Sequence, residues 1–144
     1  MAEPIIDHTG VSVSDYPAAK RFYSAALKPL GISFLREFPK SMTGDFDVGL
    51  YGADGKSIMV IGGGGKATPA VHLAFRAVDR QTVDAFYKAA MAAGGKDKGP
   101  PGLREHYHPT YYGAFVLDPD GHNIEAVCHK DVEHDREANL HHRL

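Results

Sequence analysis

Hydrophobic and polar residues divide the chain into two halves with the same order of elements. In the first half, the short β-branched run Ile5–Val13 predicts a strand. Asp15 then supplies a helix N-cap, and apolar side chains at a rough helical spacing continue to Gly31, which predicts a helix. The second half repeats this order, with a predicted strand at Val71–Val78 and a cap at Asp79.

The similarity between the halves extends to individual positions. His8 and His72 begin matching stretches 64 positions apart, and Asp54–Met59 matches Asp120–Glu125 at an offset of 66. After each helix come short strand-like runs separated by turn residues. The sequence therefore predicts an α+β fold of two pseudo-symmetric βαβββ modules.

The domain organisation follows from this repeat. We expect one domain over residues 1–130, with a first module at about 4–62 and a second at about 70–128. A glycine-rich linker, residues 62–69, joins them, and a polar tail covers residues 131–144.

Composition excludes several classes of function. Lys and Arg total 16 against 18 Asp and Glu, which argues against the basic surface of a nucleic-acid-binding protein. Cys128 is the single cysteine, so neither an internal disulfide nor a Cys-rich zinc site can form. The sequence shows no membrane-spanning run and no leader, which favours a cytoplasmic protein. Any metal site must therefore use carboxylates and some of the nine histidines.

Three residues in the repeat suggest such a site. His8 and His72 occupy equivalent positions in the first strands of the modules, and Glu125 lies in the last strand among apolar neighbours. Two imidazoles and one carboxylate can bind a divalent ion and leave positions open for substrate. Met59, the repeat partner of Glu125, is placed beside the substrate at the fourth corner. A shift of the register by one residue would not add a ligand, because Ser57–Ile61 contains no carboxylate. The alternative is that these are ordinary core or edge histidines.

A second cluster lies in the segment that differs between the modules. His106 and His108 are expected to share one strand face, where either can act as a general base. Tyr111 or Tyr112 can donate a hydrogen bond to a developing oxyanion, and Arg104 can hold a substrate carboxylate. The alternative is an aromatic loop with a packing role only.

The segments Ile6–Asp15, Val71–Phe75 and Phe115–Glu125 resemble the vicinal oxygen chelate superfamily of glyoxalases, bleomycin resistance proteins and extradiol dioxygenases. The resemblance covers about residues 5–128. It implies a half-open β-barrel around a divalent metal, Fe, Mn, Ni, Co or Zn, with His8, His72 and Glu125 at the ligand positions. It also implies a homodimer in which modules pack across chains.

Two departures from that family limit the choice of reaction. Met59 stands where glyoxalase I has a carboxylate ligand, and Phe115 stands where extradiol dioxygenases have a tyrosine. The resemblance therefore implies a metal-dependent enzyme that chelates neighbouring oxygens of a small-molecule substrate, of lyase, isomerase or dioxygenase type. The alternative is a protein of the bleomycin-resistance kind, which sequesters a ligand without turnover.

Overall fold

Two four-stranded sheets and three helices form the described part of the chain. The computed structural model describes residues 6–64 and 69–131. In chain order the elements are β1 Thr9–Ser12, α1 Tyr16–Ala26, a 3-10 turn Lys28–Leu30, β2 Ser33–Phe38, α2 Lys40–Thr43, β3 Val48–Ala53, β4 Lys56–Gly62, β5 His72–Arg76, α3 Arg80–Ala92, β6 Lys96–Leu103, β7 Tyr112–Leu117 and β8 Asn123–Cys128.

The two sheets have the same topology. Their strand orders are β1-β4-β3-β2 and β5-β8-β7-β6, and in each the first strand pairs in parallel with the last strand of its own module. The remaining pairs are antiparallel. The first module adds the 3-10 turn and the short α2. This confirms the α+β fold of two βαβββ modules whose sheets remain separate, as in a half-open barrel.

Capping residues begin both long helices where the sequence predicts. The Asp15 carboxylate accepts from the amide of Ala18 at 3.1 Å, and Asp79 accepts from the amide of Thr82 at 2.8 Å. α1 ends at Ala26 rather than continuing to Gly31, because Pro29 cannot donate a helical hydrogen bond. The last turn before the glycine is therefore a 3-10 helix.

The core fills the space between the helices and one face of each sheet. Phe22 of α1 and Phe86 of α3, which match in the repeat, are both fully buried. In β8, Ile124, Ala126 and Cys128 belong to this core. Because side chains alternate across a strand, Asn123, Glu125 and Val127 point to the opposite face of the sheet. We call this the open face of the second sheet.

The structure corrects the expected match between Met59 and Glu125. β1 pairs Gly10 with Val60, and β5 pairs Ala74, the equivalent of Gly10, with Glu125. Val60 is therefore the structural counterpart of Glu125. A bulge at Ile58 inserts one residue into β4 and shifts the register. A shift of one residue reverses the faces of a strand, so Met59 is buried in the core.

The turn before β8 joins the second module to the first. His122 is fully buried, and its Nε2 donates to the Ser12 carbonyl at 2.9 Å while its Nδ1 accepts from the amide of Val71 at 3.1 Å. Buried Asp118 accepts from the hydroxyl of Tyr23 on α1 at 2.6 Å. Asp120 accepts from the amide of Ser14 at 3.0 Å. These contacts fix the relative position of the modules.

Parts of three predicted segments lie outside the described residues. These are the start of the first strand before position 6, the middle of the glycine-rich linker at positions 65–68 and the polar tail from position 132 onward. Among the described helices, none combines the length and the hydropathy needed to cross a bilayer.

Candidate functional site

His72 and Glu125 meet on the open face of the second sheet. Nε2 of His72 lies 2.8 Å from Oε1 of Glu125. The parallel pairing of β5 with β8 sets this contact, because it aligns His72 with Asn123 and Ala74 with Glu125. Since an ionised carboxylate only accepts hydrogen bonds, Nε2 carries the proton in this contact.

Glu125 is buried, and both of its carboxylate oxygens have hydrogen-bond partners. It is 1% exposed, whereas the His72 side chain is 53% exposed. The Tyr111 hydroxyl donates to Oε2 of Glu125. A buried carboxylate without partners is strongly unfavourable, so His72 and Tyr111 keep Glu125 in place.

Tyr111 remains a hydrogen-bond donor over the ordinary pH range. Burial raises its pKa well above the usual value, and the hydrogen bond to the Glu125 carboxylate raises it further. The sequence suggested that Tyr111 faces an oxyanion of the substrate. Its partner in this structure is Glu125, so Tyr111 orients the carboxylate.

The His72–Glu125 pair has the spacing of two neighbouring ligands of a divalent ion. Ligands about 2.1 Å from a metal and at right angles lie about 3 Å apart. The observed 2.8 Å between Nε2 and Oε1 is close to that separation. Gly113 lies beside the pair, where a methyl group would come 3.2 Å from the Tyr111 ring and into ordinary contact, at 3.5 Å, with Oε2 of Glu125. The donor set therefore fits as part of a metal site.

His8 is not brought to this pair within one chain. It precedes β1 rather than lying in it, and its exposed Nδ1 lies 2.7 Å from the carboxylate of Asp7. Within residues 6–64 and 69–131, no three His, Cys, Asp or Glu side chains form a group able to hold a metal. Within the described residues, two of the three expected ligands, His72 and Glu125, therefore lie together and His8 does not join them.

A cavity of about 240 Å³ adjoins the pair on the same face. The ring of Phe115 forms part of its wall and lies 6.2 Å from the His72 ring, measured between centroids. Phe115 is also the cross-strand neighbour of Glu125. The residues lining the cavity are Lys98, Gly99, Arg104, His106, Tyr107, Phe115 and Asn123.

The expected strand containing His106 and His108 is wrong, since both residues lie in the loop between β6 and β7. The amide of Arg104 donates to the Tyr111 carbonyl at 2.7 Å and closes this loop. His106 lines the cavity and packs against Tyr107. His108 is exposed, with its Nδ1 3.0 Å from the Thr110 hydroxyl, and does not line the cavity.

Tyr112 lies on the opposite side of the second sheet from the pair. Its hydroxyl donates to Asp84 of α3 at 2.7 Å, and the Arg80 guanidinium lies 5.0 Å from its ring centroid. Burial, followed by the contact with Asp84, raises the pKa of Tyr112 to about 12. Tyr112 and Met59 both face the helices rather than the cavity, which argues against the catalytic role expected for Tyr112 and the substrate contact expected for Met59.

Sequence reasoning missed Asn123 and His122. Asn123 begins β8 and lines the cavity, and its buried Oδ1 has no hydrogen-bond partner in the described part of the chain. His122 holds the two modules together. Both follow the Asp118–Gly121 turn, and the alternation of β8 from Glu125 places Asn123 on the open face.

Comparison with protein families gives a match over most of the chain. The Glyoxalase/Bleomycin resistance protein/Dioxygenase superfamily matches residues 5–126. Comparison with curated proteins gives no significant match.

Solved structures agree with the family match. The chain is 30% identical to a glyoxalase/bleomycin resistance protein from Albidiferax ferrireducens T118, with a TM-score of 0.69 over 87% of this chain and 98% of that one. A domain of the same description from Frankia sp. EAN1pec has 18% identity and a TM-score of 0.69, covering 94% and 99% of the two chains. A glyoxalase I variant from Zea mays has 21% identity and a TM-score of 0.61, covering 85% of this chain but 46% of that one. The last two likenesses show the fold alone. From the family match and the Albidiferax relative, the chain belongs to the Glyoxalase/Bleomycin resistance protein/Dioxygenase superfamily.

Proposed function

We propose that this protein is a metal-dependent cytoplasmic enzyme acting on a small molecule with two neighbouring oxygen atoms. The observation that supports the proposal is the contact between exposed His72 and buried Glu125, with ligand-like spacing, beside a cavity on the open face. Family membership supports a divalent metal, and the reaction is a lyase, isomerase or dioxygenase reaction.

The third ligand in this proposal is His8 of the partner subunit in a homodimer. The ligating side chains of the described chain form no complete group, and His8 is exposed. A two-fold axis then gives two equivalent sites, each with His72 and Glu125 from one chain and His8 from the other.

Each residue of the site has a separate role in this proposal. A bound divalent ion would stabilise negative charge that develops on the two substrate oxygens. His72 must release its Nε2 proton to become a ligand, and Tyr111 keeps Glu125 oriented by holding Oε2. Phe115 excludes water from one side of the cavity. His106, which lines the cavity, is the proposed general base.

Metal content of the purified protein tests the proposal. We expect about one divalent ion per chain by elemental analysis, and a loss of affinity exceeding about 100-fold in E125Q, because it removes a charged ligand. E37Q is a suitable control, since the Glu37 carboxylate bonds Tyr16 and Lys20 at the edge of the first sheet. A protein that takes up no metal, or an E125Q variant with wild-type affinity, would disprove the metal site.

Mixing two inactive variants tests the shared site. If His8 acts across the dimer, subunits carrying H8A and E125Q should form mixed dimers in which one of two sites is intact. Random mixing would then restore about a quarter of the wild-type metal content. A site built within one chain would restore none.

A second candidate function is sequestration of a ligand without turnover. The observation that favours it is that His72 and Tyr111 already satisfy both oxygens of Glu125. In that case the protein would remain metal-free and bind its ligand reversibly. Oxygen uptake with catechols and isomerisation of a hemithioacetal, measured on metal-loaded protein, distinguish dioxygenase from glyoxalase chemistry, and activity in either assay excludes sequestration alone.

A further inference from the structure

Two cations line the cavity without a balancing carboxylate. Lys98 and Arg104 are among its wall residues, which include no Asp or Glu. In the described part of the chain neither cation takes part in an ion pair. Asp97, the neighbour of Lys98, accepts from the hydroxyl of Tyr87 on α3, at 3.1 Å, and from the amide of Gly99. The cavity therefore favours an anion.

The Arg104 guanidinium is held in a defined position. One of its amino groups donates to the Pro100 carbonyl at 2.6 Å, and its central carbon lies 5.5 Å from the Phe115 ring centroid. Among the described contacts this is its single side-chain hydrogen bond, so other N–H groups remain available for a ligand.

Two glycines of β6 make room for this guanidinium. A methyl group at Gly99 would lie 3.0 Å from one amino nitrogen of Arg104 and 3.1 Å from Phe115. A methyl group at Gly102 would lie 3.1 Å from the other amino nitrogen, with no other atom within 4 Å. Any larger residue at either position would displace the guanidinium.

Phe115 connects the cation to the proposed metal ligands. Its ring is 5.5 Å from the guanidinium carbon and 6.2 Å from the His72 ring, measured from the Phe115 centroid. A small molecule lying over Phe115 can therefore reach both Arg104 and the His72–Glu125 pair.

We propose that Arg104, assisted by Lys98, binds a carboxylate group of the substrate, which is a small organic acid. The planar guanidinium matches a carboxylate with two parallel hydrogen bonds. The apolar part of the acid lies over Phe115, and its neighbouring oxygens point to His72 and Glu125. This orientation rests on the proposed function, whereas the carboxylate site rests on the cavity itself.

Titration of the metal-free protein tests the carboxylate site. Full-length protein is stripped of metal with EDTA and dialysed to remove the chelator. Benzoate and its neutral analogue benzamide are then added separately, and amide shifts are followed by NMR. We expect benzoate to bind about 10- to 100-fold more tightly than benzamide, because a charge-assisted hydrogen bond distinguishes them. In R104Q that preference should disappear, and in R104K it should be partly retained.

A glycine variant tests the position of the guanidinium without removing its charge. G102A should weaken benzoate binding, since its methyl group meets Arg104 alone. G10A is the matched control, because a methyl group at Gly10 in β1 has no atom within 4 Å, and it should bind benzoate as the wild type does. Unfolding curves of both variants show whether a loss of binding reflects loss of the fold.

Three results would overturn the inference: equal binding of benzoate and benzamide, wild-type benzoate binding by R104Q, or inorganic phosphate binding as tightly as benzoate. Because the protein is metal-free, these results do not depend on the metal site. A protein that takes up no metal but binds benzoate through Arg104 would refute the proposed function and support the carboxylate site. A protein that takes up metal, and whose R104Q variant binds benzoate as the wild type does, would support the proposed function and refute the carboxylate site.

Discussion

The two sheets share a topology, but their open faces differ in chemistry. At one equivalent position the first sheet has Val60 and the second has Glu125. His72 begins β5 and contacts Glu125, whereas its counterpart His8 precedes β1 and contacts Asp7. A carboxylate can be buried on the second sheet because partners for both oxygens come from nearby elements.

The turns that precede the last strands of the two modules also differ, one being exposed and the other partly buried. In the first module the β3–β4 turn is a tight hairpin at Asp54 and Gly55, both exposed. In the second module the longer turn includes buried Asp118 and His122, which bond to the first module. The comparison teaches that the second copy of the repeat carries both the candidate site and the contacts that position it.

The largest expected loss of stability comes from placing a charge on the core-facing side of β4 rather than on its other face. M59E would bury a charge in the core and should destabilise the protein by more than about 4 kcal/mol, or prevent folding. V60E places the same charge on the open face, where Glu125 stands in the second sheet, and should lower the free energy of unfolding by about 1–2 kcal/mol. Urea unfolding measures both. A folded M59E with an unfolded V60E would reverse the assigned register.

Removing the His122 side chain tests the contacts between modules. H122A leaves the Val71 amide and the Ser12 carbonyl without their partner and creates a cavity, so we expect a loss of about 3 kcal/mol. D54G is the control in the equivalent turn, where Asp54 has a φ of 53°, and should change stability by less than about 0.5 kcal/mol. Similar losses in the two variants, measured by urea unfolding, would show that the two turns do not differ as described.

Sequence reasoning found the repeat because caps and strands obey local rules. Asp15 and Asp79 each cap a helix by a hydrogen bond within its first turn. The proximity of His72 and Glu125 follows from the pairing of β5 with β8. The repeat allowed a shift of one residue in β4 but did not locate the bulge at Ile58, since nothing in an apolar strand marks where an extra residue is inserted. This bulge is why Met59, rather than Val60, was aligned with Glu125.

Other features of the site depend on contacts that local rules do not specify. Tyr111 and Tyr112 are adjacent and chemically identical, yet one reaches Glu125 and the other reaches Asp84. Which tyrosine faces the site depends on where β7 begins, and element boundaries are the least certain part of a sequence-based prediction.

These adjacent tyrosines give a matched pair of variants. Y111F removes the hydrogen bond to Oε2 of Glu125 and should reduce divalent-metal affinity about 10- to 100-fold, because it releases a ligating carboxylate. Y112F also removes a tyrosine hydroxyl, but one that bonds Asp84 on the other face of the sheet, and should leave the divalent-metal affinity unchanged. Calorimetric titration with Zn²⁺ or Ni²⁺ measures both. Equal losses in the two variants would rule out an orienting role specific to Tyr111.

The smallest expected effect concerns Tyr23, whose contact with Asp118 joins α1 to the second module. Burial raises the pKa of Tyr23 well above the ordinary value of 10.0, and the Asp118 carboxylate raises it further. The unfolded chain can therefore ionise this tyrosine in a pH range where the folded chain cannot. The stability that Tyr23 contributes is present below pH 10 and falls by about 1.4 kcal/mol per pH unit above it.

Y23F separates the hydrogen bond from this alkaline effect. Near pH 7 the variant should be less stable than wild type by about 1–2 kcal/mol, because Asp118 loses a donor. Near pH 11 the difference should shrink toward zero, since only the wild type loses stability through ionisation of residue 23 in the unfolded state. Urea unfolding at both pH values measures the difference, with Y107F as a control because Tyr107 is 62% exposed. A difference that does not change with pH would mean that the pKa of Tyr23 is not raised in the folded chain.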